Sequence, residues 1–398
     1  MAGGAAALVV AVVLLGDRGG GGDRVEEGPA VPRSEFYGVN APRLRALSTE
    51  ARRETLDAHA REIAERGIGW ARVVFDQPIE QPAPGQTDWA IPDQFVAALA
   101  REGVRTAAVF VGTARWAAPD ADPACARAPM VPPADIEAWA DFLGEAAARY
   151  GPGGDFWRQN PDLPELAIRA FEVGNEPNTR LFWCPAANPE QYAAVYAAAH
   201  DAIVRANPEA RPVVAGLAPA FFLPAEGSVT VQEFLRRMLA AVPGLADEIE
   251  AVAIHPYGPT PEHVLQSVRA FRAVLREVGL GRTPMIANET GWHTRGPPGT
   301  RFADEETRPR FIAEVASVID RTDCGIEGFA IHAWLTPERD SDRATDWYGI
   351  ADPQTGAPKE SAVAYGRAIA GESPAGRGPL TRTASNLCSR LAQSGDPR

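Results

Sequence analysis

The chain has almost no lysine. Lys359 is the only one, and nearly every other basic residue is arginine, a feature that carries no functional weight. Basic charge as a whole is in short supply: 39 basic against 52 acidic residues give a formal charge of −13. That excess argues against nucleic acid and anionic membranes as partners. A basic, aromatic-rich strip of the kind that binds nucleic acid is also missing. Histidine is scarce, with six in all. None has the H-x-H or H-E-x-x-H spacing that brings two imidazoles to one ion. A metal-dependent hydrolase built on His255, His293 or His332 is therefore disfavoured, and neither metal nor cofactor is expected. The four cysteines, Cys125, Cys184, Cys324 and Cys388, contain no C-x-x-C pair. This disfavours a zinc site or a thioredoxin-type redox motif. No glycine-rich phosphate loop follows the first strand-like run, Tyr37-Gly38-Val39-Asn40. An open, doubly wound nucleotide-binding sheet would announce itself there.

No apolar run reaches the roughly 20 residues that span a bilayer. The longest near the start is Ala5 to Leu15, followed by Gly16-Asp17-Arg18 and the glycine run Gly19 to Gly22. It has the length of a signal-peptide apolar core, although no positive charge precedes it. No cysteine follows it for lipid attachment. Residues 1–33 are expected to be a signal or anchor segment with a glycine-rich leader, and the protein to be secreted or held at the cell envelope. An even number of cysteines in an exported chain permits two disulfides, in three connectivities.

What the chain does contain is a regular alternation. Short β-rich runs begin near Phe36, Ala71, Arg105, Ala167, Pro212, Glu250, Pro284 and Ile326. Between them lie stretches of helical spacing: Thr55–Arg66, Asp93–Glu102, Ile136–Tyr150, Pro189–Ala206, Val231–Val242, Pro261–Val278 and Thr307–Asp320. Strands alternating with helices build parallel β-α-β units. Eight such units predict an α/β fold of the closed (β/α)8 TIM-barrel type, a single domain over 34–371, with a loop-like tail over 372–398.

Active residues of such a barrel sit where the strands end. The run Phe171-Glu172-Val173-Gly174-Asn175-Glu176-Pro177-Asn178 is an apolar strand that stops at an amide, a carboxylate and a proline. A second carboxylate ends a later run, Pro284-Met285-Ile286-Ala287-Asn288-Glu289-Thr290. Arg72 lies on strand two, His255 and Tyr257 end strand six, and Trp334 ends strand eight. Trp116, Trp183, Trp292 and Trp347 follow strands three, four, seven and eight, where substrate loops belong. Glu172 and Glu327 fall inside their strands and read as barrel or supporting residues.

Together these elements resemble glycoside hydrolase clan A, including family-five glucanases and mannanases and family-thirty-nine xylosidases. The matching pieces are Arg72, Asn175-Glu176-Pro177, His255-Pro256-Tyr257, Glu289 and Trp334. A family-five histidine at the end of strand three is missing; the run there is Val111-Gly112-Thr113-Ala114-Arg115-Trp116. The resemblance implies retaining β-glycosidase chemistry, with Glu176 as acid/base, Glu289 as nucleophile, a carbohydrate substrate and no obligatory protein partner. It places Asn175 on a sugar 2-hydroxyl and Trp334 under the sugar as a stacking floor. Arg72 and Tyr257 would keep Glu289 ionised, and His255 would bond around Glu176. Trp116, Trp183 and Trp292 would line the cleft. A barrel also brings the loops after strands three and four together, and the last helix back toward Cys324. The expected disulfides are therefore Cys125–Cys184 and Cys324–Cys388. The competing reading is a non-catalytic carbohydrate-binding protein on the same fold.

Overall fold

The computed structural model describes residues 33–41, 49–118, 122–126, 128–219, 226–296, 303–339, 342–372, 380 and 384–389. The leader expected over 1–33 lies outside them except for its last residue. Eight parallel strands close into one barrel in chain order, with β1 also pairing with β8. They are β1 Tyr37–Asn40, β2 Trp70–Asp76, β3 Arg105–Val111, β4 Ala170–Val173, β5 Arg211–Leu217, β6 Val252–Ile254, β7 Met285–Thr290 and β8 Ile326–Ile331. Each lies within or close to a predicted β-rich run. Strands covered on both faces are apolar nearly throughout, and β1, β5 and β6 are buried along almost their whole length.

Helix starts follow local chemistry. Asp135 accepts from the Ala138 amide, Asn188 from Gln191 and Thr230 from Glu233. Each satisfies an amide that the first helical turn leaves unpaired. The helices Ile136–Tyr150, Pro189–Ala206 and Val231–Ala241 accordingly begin where the sequence places them. Two others differ. The first long helix is Thr49–Glu65, starting before Thr55, because its opening turns are polar and carry no apolar period. The helix from Thr307 stops at Ala316, and a separate 3₁₀ turn covers Ile319–Arg321.

Both disulfides pair as expected. Cys125 and Cys184 have Cα atoms 5.7 Å apart, and Cys324 and Cys388 5.3 Å, within the range a bridge allows. The second fastens the tail beneath the barrel. There the Asp323 carboxylate accepts from the Cys388 and Ser389 amides, each at 2.7 Å. Arg276 donates to the Cys388 carbonyl at 3.0 Å. Among the described residues no helix is long and apolar enough to cross a membrane.

Candidate active site

The centre is organised by Arg72 of β2, whose side chain is only 4% exposed. Its Nε and Nη2 grip both oxygens of Glu172 from β4, at 2.7 and 2.9 Å. Nη2 also donates to Asn175 Oδ1 at 2.7 Å. Nη1 donates to Glu289 Oε1 at 2.5 Å and to Asn40 Oδ1 at 3.0 Å. The planar fork thus holds four side chains at once, which a point-charge ammonium cannot do. Burial opposes its charge, but Glu172 and Glu289 outweigh burial and push its pKa above the ordinary arginine value. Glu172 is itself saturated: it also accepts from Asn288 Nδ2 and the Gly216 amide, each at 2.8 Å.

After β4 the backbone turns sharply. Gly174 has φ +90° and Glu176 φ +42°. A non-glycine residue held in the left-handed region costs roughly 1–3 kcal/mol, and such residues cluster at functional sites. The Glu176 amide donates to the Gly216 carbonyl at 2.9 Å, and the Thr179 amide to the Glu176 carbonyl at 2.9 Å. These bonds fix the turn and leave the Glu176 side chain facing the barrel mouth, 18% exposed.

His255, just past β6, lies fully buried between the two carboxylates. Its Nδ1 is 2.8 Å from Glu176 Oε1 and 3.6 Å from Glu289 Oε2. Two acceptors face Nδ1, so that nitrogen carries a hydrogen. Nε2 is buried without a hydrogen-bond partner. The ring fits only because residue 216 is glycine: a Cβ there would stand 2.0 Å from Nε2. Burial works against the imidazolium, but the Glu289 charge and the bond to Glu176 prevail and raise the His255 pKa above 6.5.

Glu289, on β7, receives Arg72 on one oxygen and the Tyr257 hydroxyl on the other, at 3.0 Å. His332 Nδ1 stands 3.8 Å from Oε2. Burial would raise the Glu289 pKa. The charges of His255, His332 and Arg72 and the Tyr257 bond outweigh it and hold the carboxyl well below the usual range. Burial keeps the Tyr257 hydroxyl protonated, reinforced by the Glu289 charge. Ligand atoms of Glu176, His255 and Glu289 all lie within 4.8 Å of one another. The site therefore pairs one fixed anion with a second, differently placed carboxyl group a few ångströms away.

Arg72, Asn175, Glu176, His255, Tyr257 and Glu289 come together as the sequence predicts. Three tryptophans do not line an open cleft. Trp334 is fully buried, its Nε1 donating to His59 Nδ1 at 3.0 Å, so no ring face is left for a sugar. Trp183 is equally buried, bonded to Gln191 and edge-on to Tyr192. Trp292 is 1% exposed and packs on Phe311. Their large apolar area goes into the packing of the loops. Trp116 stays half-buried, its Nε1 fixed on the Gln81 carbonyl at 2.9 Å.

Sequence reasoning missed Asn40, Asn288, Gly216 and Tyr348, and weighed His332 only as a metal ligand. Asn40 and Asn288 are the polar residues that end or nearly end otherwise apolar strands, the same signal that marks Glu289. His332 directly follows β8 and was overshadowed by the tryptophan two residues on. Glu172 is a supporting residue as predicted, and Glu327 pairs with Arg211 at 2.7 Å.

No protein-family model and no curated protein matches the chain. Solved structures do. One is a family 39 glycoside hydrolase from the gut symbiont Bacteroides cellulosilyticus WH2, with TM-score 0.61 and 18% identity over 86% of this chain. The chain spans 65% of that protein's length. Another is a monomeric β-xylosidase from Caulobacter crescentus CB15, with TM-score 0.55, 17% identity, and coverage of 83% of this chain and 67% of that one. A third is an exo-β-1,4-mannosidase from Opitutaceae bacterium strain TAV5, with TM-score 0.57, 16% identity, and coverage of 86% and 62%. At these identities the likeness establishes the barrel fold.

Proposed function

We propose that the protein is a retaining β-glycoside hydrolase acting on a carbohydrate substrate. One observation carries the reading: a carboxylate held anionic by Arg72 and Tyr257 lies within 4.8 Å of a second carboxyl oxygen, that of Glu176. Retaining cleavage uses two carboxyl groups about 5–5.5 Å apart. Glu289 attacks the anomeric carbon. The bond to the leaving oxygen breaks, and that oxygen takes the proton of Glu176. A glycosyl ester on Glu289 results. Glu176, now ionised, removes a proton from water; the water oxygen bonds the anomeric carbon and Glu289 is released. The His255 bond to Oε1 leaves the other oxygen of Glu176 to hold the travelling proton. The Arg72 bond fixes Asn175 Oδ1, so Asn175 can offer its N–H pair to a sugar 2-hydroxyl. The fold shared with known glycosidases supports the reading. The two disulfides support an exported protein, since such bridges persist in oxidising compartments.

The experiment is a panel of aryl β-glycosides and polysaccharides with two variants. Glu289→Ala is expected to be inactive on every substrate, since no glycosyl-enzyme forms. Glu176→Ala should keep more activity on substrates with good leaving groups, and azide should rescue it with a β-glycosyl azide as product. A β-glycosyl azide from Glu289→Ala and an α-azide from Glu176→Ala would exchange the two roles, whereas an α-azide from Glu289→Ala is the single displacement expected when the nucleophile is missing. Losses below about tenfold in both variants would place the chemistry elsewhere. Binding without turnover on the whole panel would favour a carbohydrate-binding protein. A metal-dependent reaction fits less well, although Glu176, His255 and Glu289 have ligand atoms close together. An ion there would share Glu289 with the Arg72 guanidinium, a fixed like charge 2.5 Å from Oε1.

A further inference from the structure

With Trp334 buried, a different ring stands beside Glu289. His332 directly follows β8, its side chain is 28% exposed, and its Nδ1 is 3.8 Å from Glu289 Oε2. Tyr348 packs against its ring at 5.3 Å and 68°, and Tyr257 at 6.5 Å and 77°. The His332 amide donates to the Thr290 carbonyl at 2.8 Å. Ring and backbone are thus both held in place. Nδ1 is buried on the Glu289 side, so a ligand would meet the imidazole at Nε2, a hydrogen-bonding atom where an indole would offer a broad apolar face.

The two oxygens of Glu289 look in different directions. Oε1 meets Arg72, which also holds Asn175. Oε2 meets Tyr257, His255 and His332. If Asn175 serves the 2-hydroxyl, C2 lies on the Oε1 side. The anomeric carbon bonds both C2 and the ring oxygen. The ring oxygen and C5 therefore lie on the Oε2 side, where His332 stands.

We propose that His332 reads the C5 substituent of the bound sugar and selects glycones that carry a polar group there, hydroxymethyl or carboxylate, over those with only hydrogen. The assignment rests on the glycosidase reading above and deepens it. A site built to hydrogen-bond a group discriminates strongly against the analogue that lacks it, because its own polar atoms are then left unpaired.

Xylose, glucose and glucuronic acid share their configuration at C2, C3 and C4. They differ only at C5, which bears hydrogen, hydroxymethyl or carboxylate. Their β-glycosides with one common aryl leaving group are the test set. The wild type should favour the glucoside or the glucuronide over the xyloside by about tenfold or more in kcat/KM. The arm that wins tells hydroxymethyl from carboxylate. His332→Ala should reduce that ratio to within about threefold, and His332→Asn, which keeps a donor and an acceptor, should retain part of it. Each ratio is internal to one preparation, so a partly unfolded variant lowers all rates alike and leaves the readout intact. Should the gluco series not be turned over, the α-L-arabinopyranoside, β-galactoside and β-galacturonide form the equivalent set. A wild type that favours the pentoside or ignores C5 overturns the proposal, as does a ratio that survives His332→Ala. Glu289→Gln separates the two levels of inference. Its retained activity would refute Glu289 as the nucleophile, and a wild type that turns over no glycoside would refute the glycosidase reading; an inactive Glu289→Gln beside an unchanged His332→Ala ratio would refute only the role of His332.

Discussion

Replacing Arg72 by methionine removes the one guanidinium that stands between two buried carboxylates. The side chain makes five hydrogen bonds, two to Glu172 and one each to Asn175, Asn40 and Glu289. The Glu172 and Glu289 side chains are only 6% and 12% exposed, so water cannot take its place. Taking one partner from a buried ion pair typically costs about 3–5 kcal/mol, because the other is left charged and unpaired. Arg72→Met should therefore lower stability by about that amount at pH 7, with a raised Glu289 pKa and at least a hundredfold loss of turnover, on the order of a lost oxyanion-type contact. Adding Glu172→Gln removes one of the stranded charges. Asn288 Oδ1 is buried with no partner, so a turned Asn288 amide can accept from the new side-chain amide. The double variant should recover more than about 1 kcal/mol relative to Arg72→Met alone. Urea unfolding, reading midpoint and slope, measures both differences. A cost below about 1 kcal/mol for Arg72→Met, or no recovery in the double variant, would refute the view that charge compensation at Arg72 holds this centre.

Trp334→Phe should lower the melting temperature, because the bond to His59 is lost from a fully buried site; steady-state kinetics should show KM for aryl glycosides changed by less than about threefold if the ring only packs, since ordinary core changes act on stability rather than on binding. Ending the chain at Gly371 or replacing Cys388 by serine should cost about 2–4 kcal/mol by freeing the bridged loop in the unfolded chain, and a melt that does not move would show the bridge to be dispensable. His255 has a pKa raised above 6.5, mainly against burial by Glu289 and Glu176. Its protonation therefore stabilises the fold fully below pH 6.5 and the gain is lost as pH rises through the higher folded value; the stability gap between wild type and His255→Asn should shrink from pH 6 to 9 when followed by urea unfolding.

The chain by itself determined the barrel and most of its centre. Eight apolar runs alternating with amphipathic stretches leave few other ways to bury both faces of every strand. Polar residues stand out in or just past such apolar runs, which is why Arg72 within β2 and Glu176, His255 and Glu289 at strand ends were legible one by one. Periodicity also gave the disulfide partners, because the order of units fixes which loops are neighbours. Tertiary structure alone decided which aromatic rings face outward. A tryptophan past a strand end has the same local sequence whether its face meets solvent or His59, and only the packing of distant helices sends Trp334 inward. The same holds for His332, which faces Glu289 because β7 and β8 are adjacent in the closed barrel. Gly216 is the clearest case: its lack of a side chain means nothing until His255 from the next strand fills the space. Contacts between residues far apart in sequence depend on how strands register and loops pack, and no local pattern encodes them.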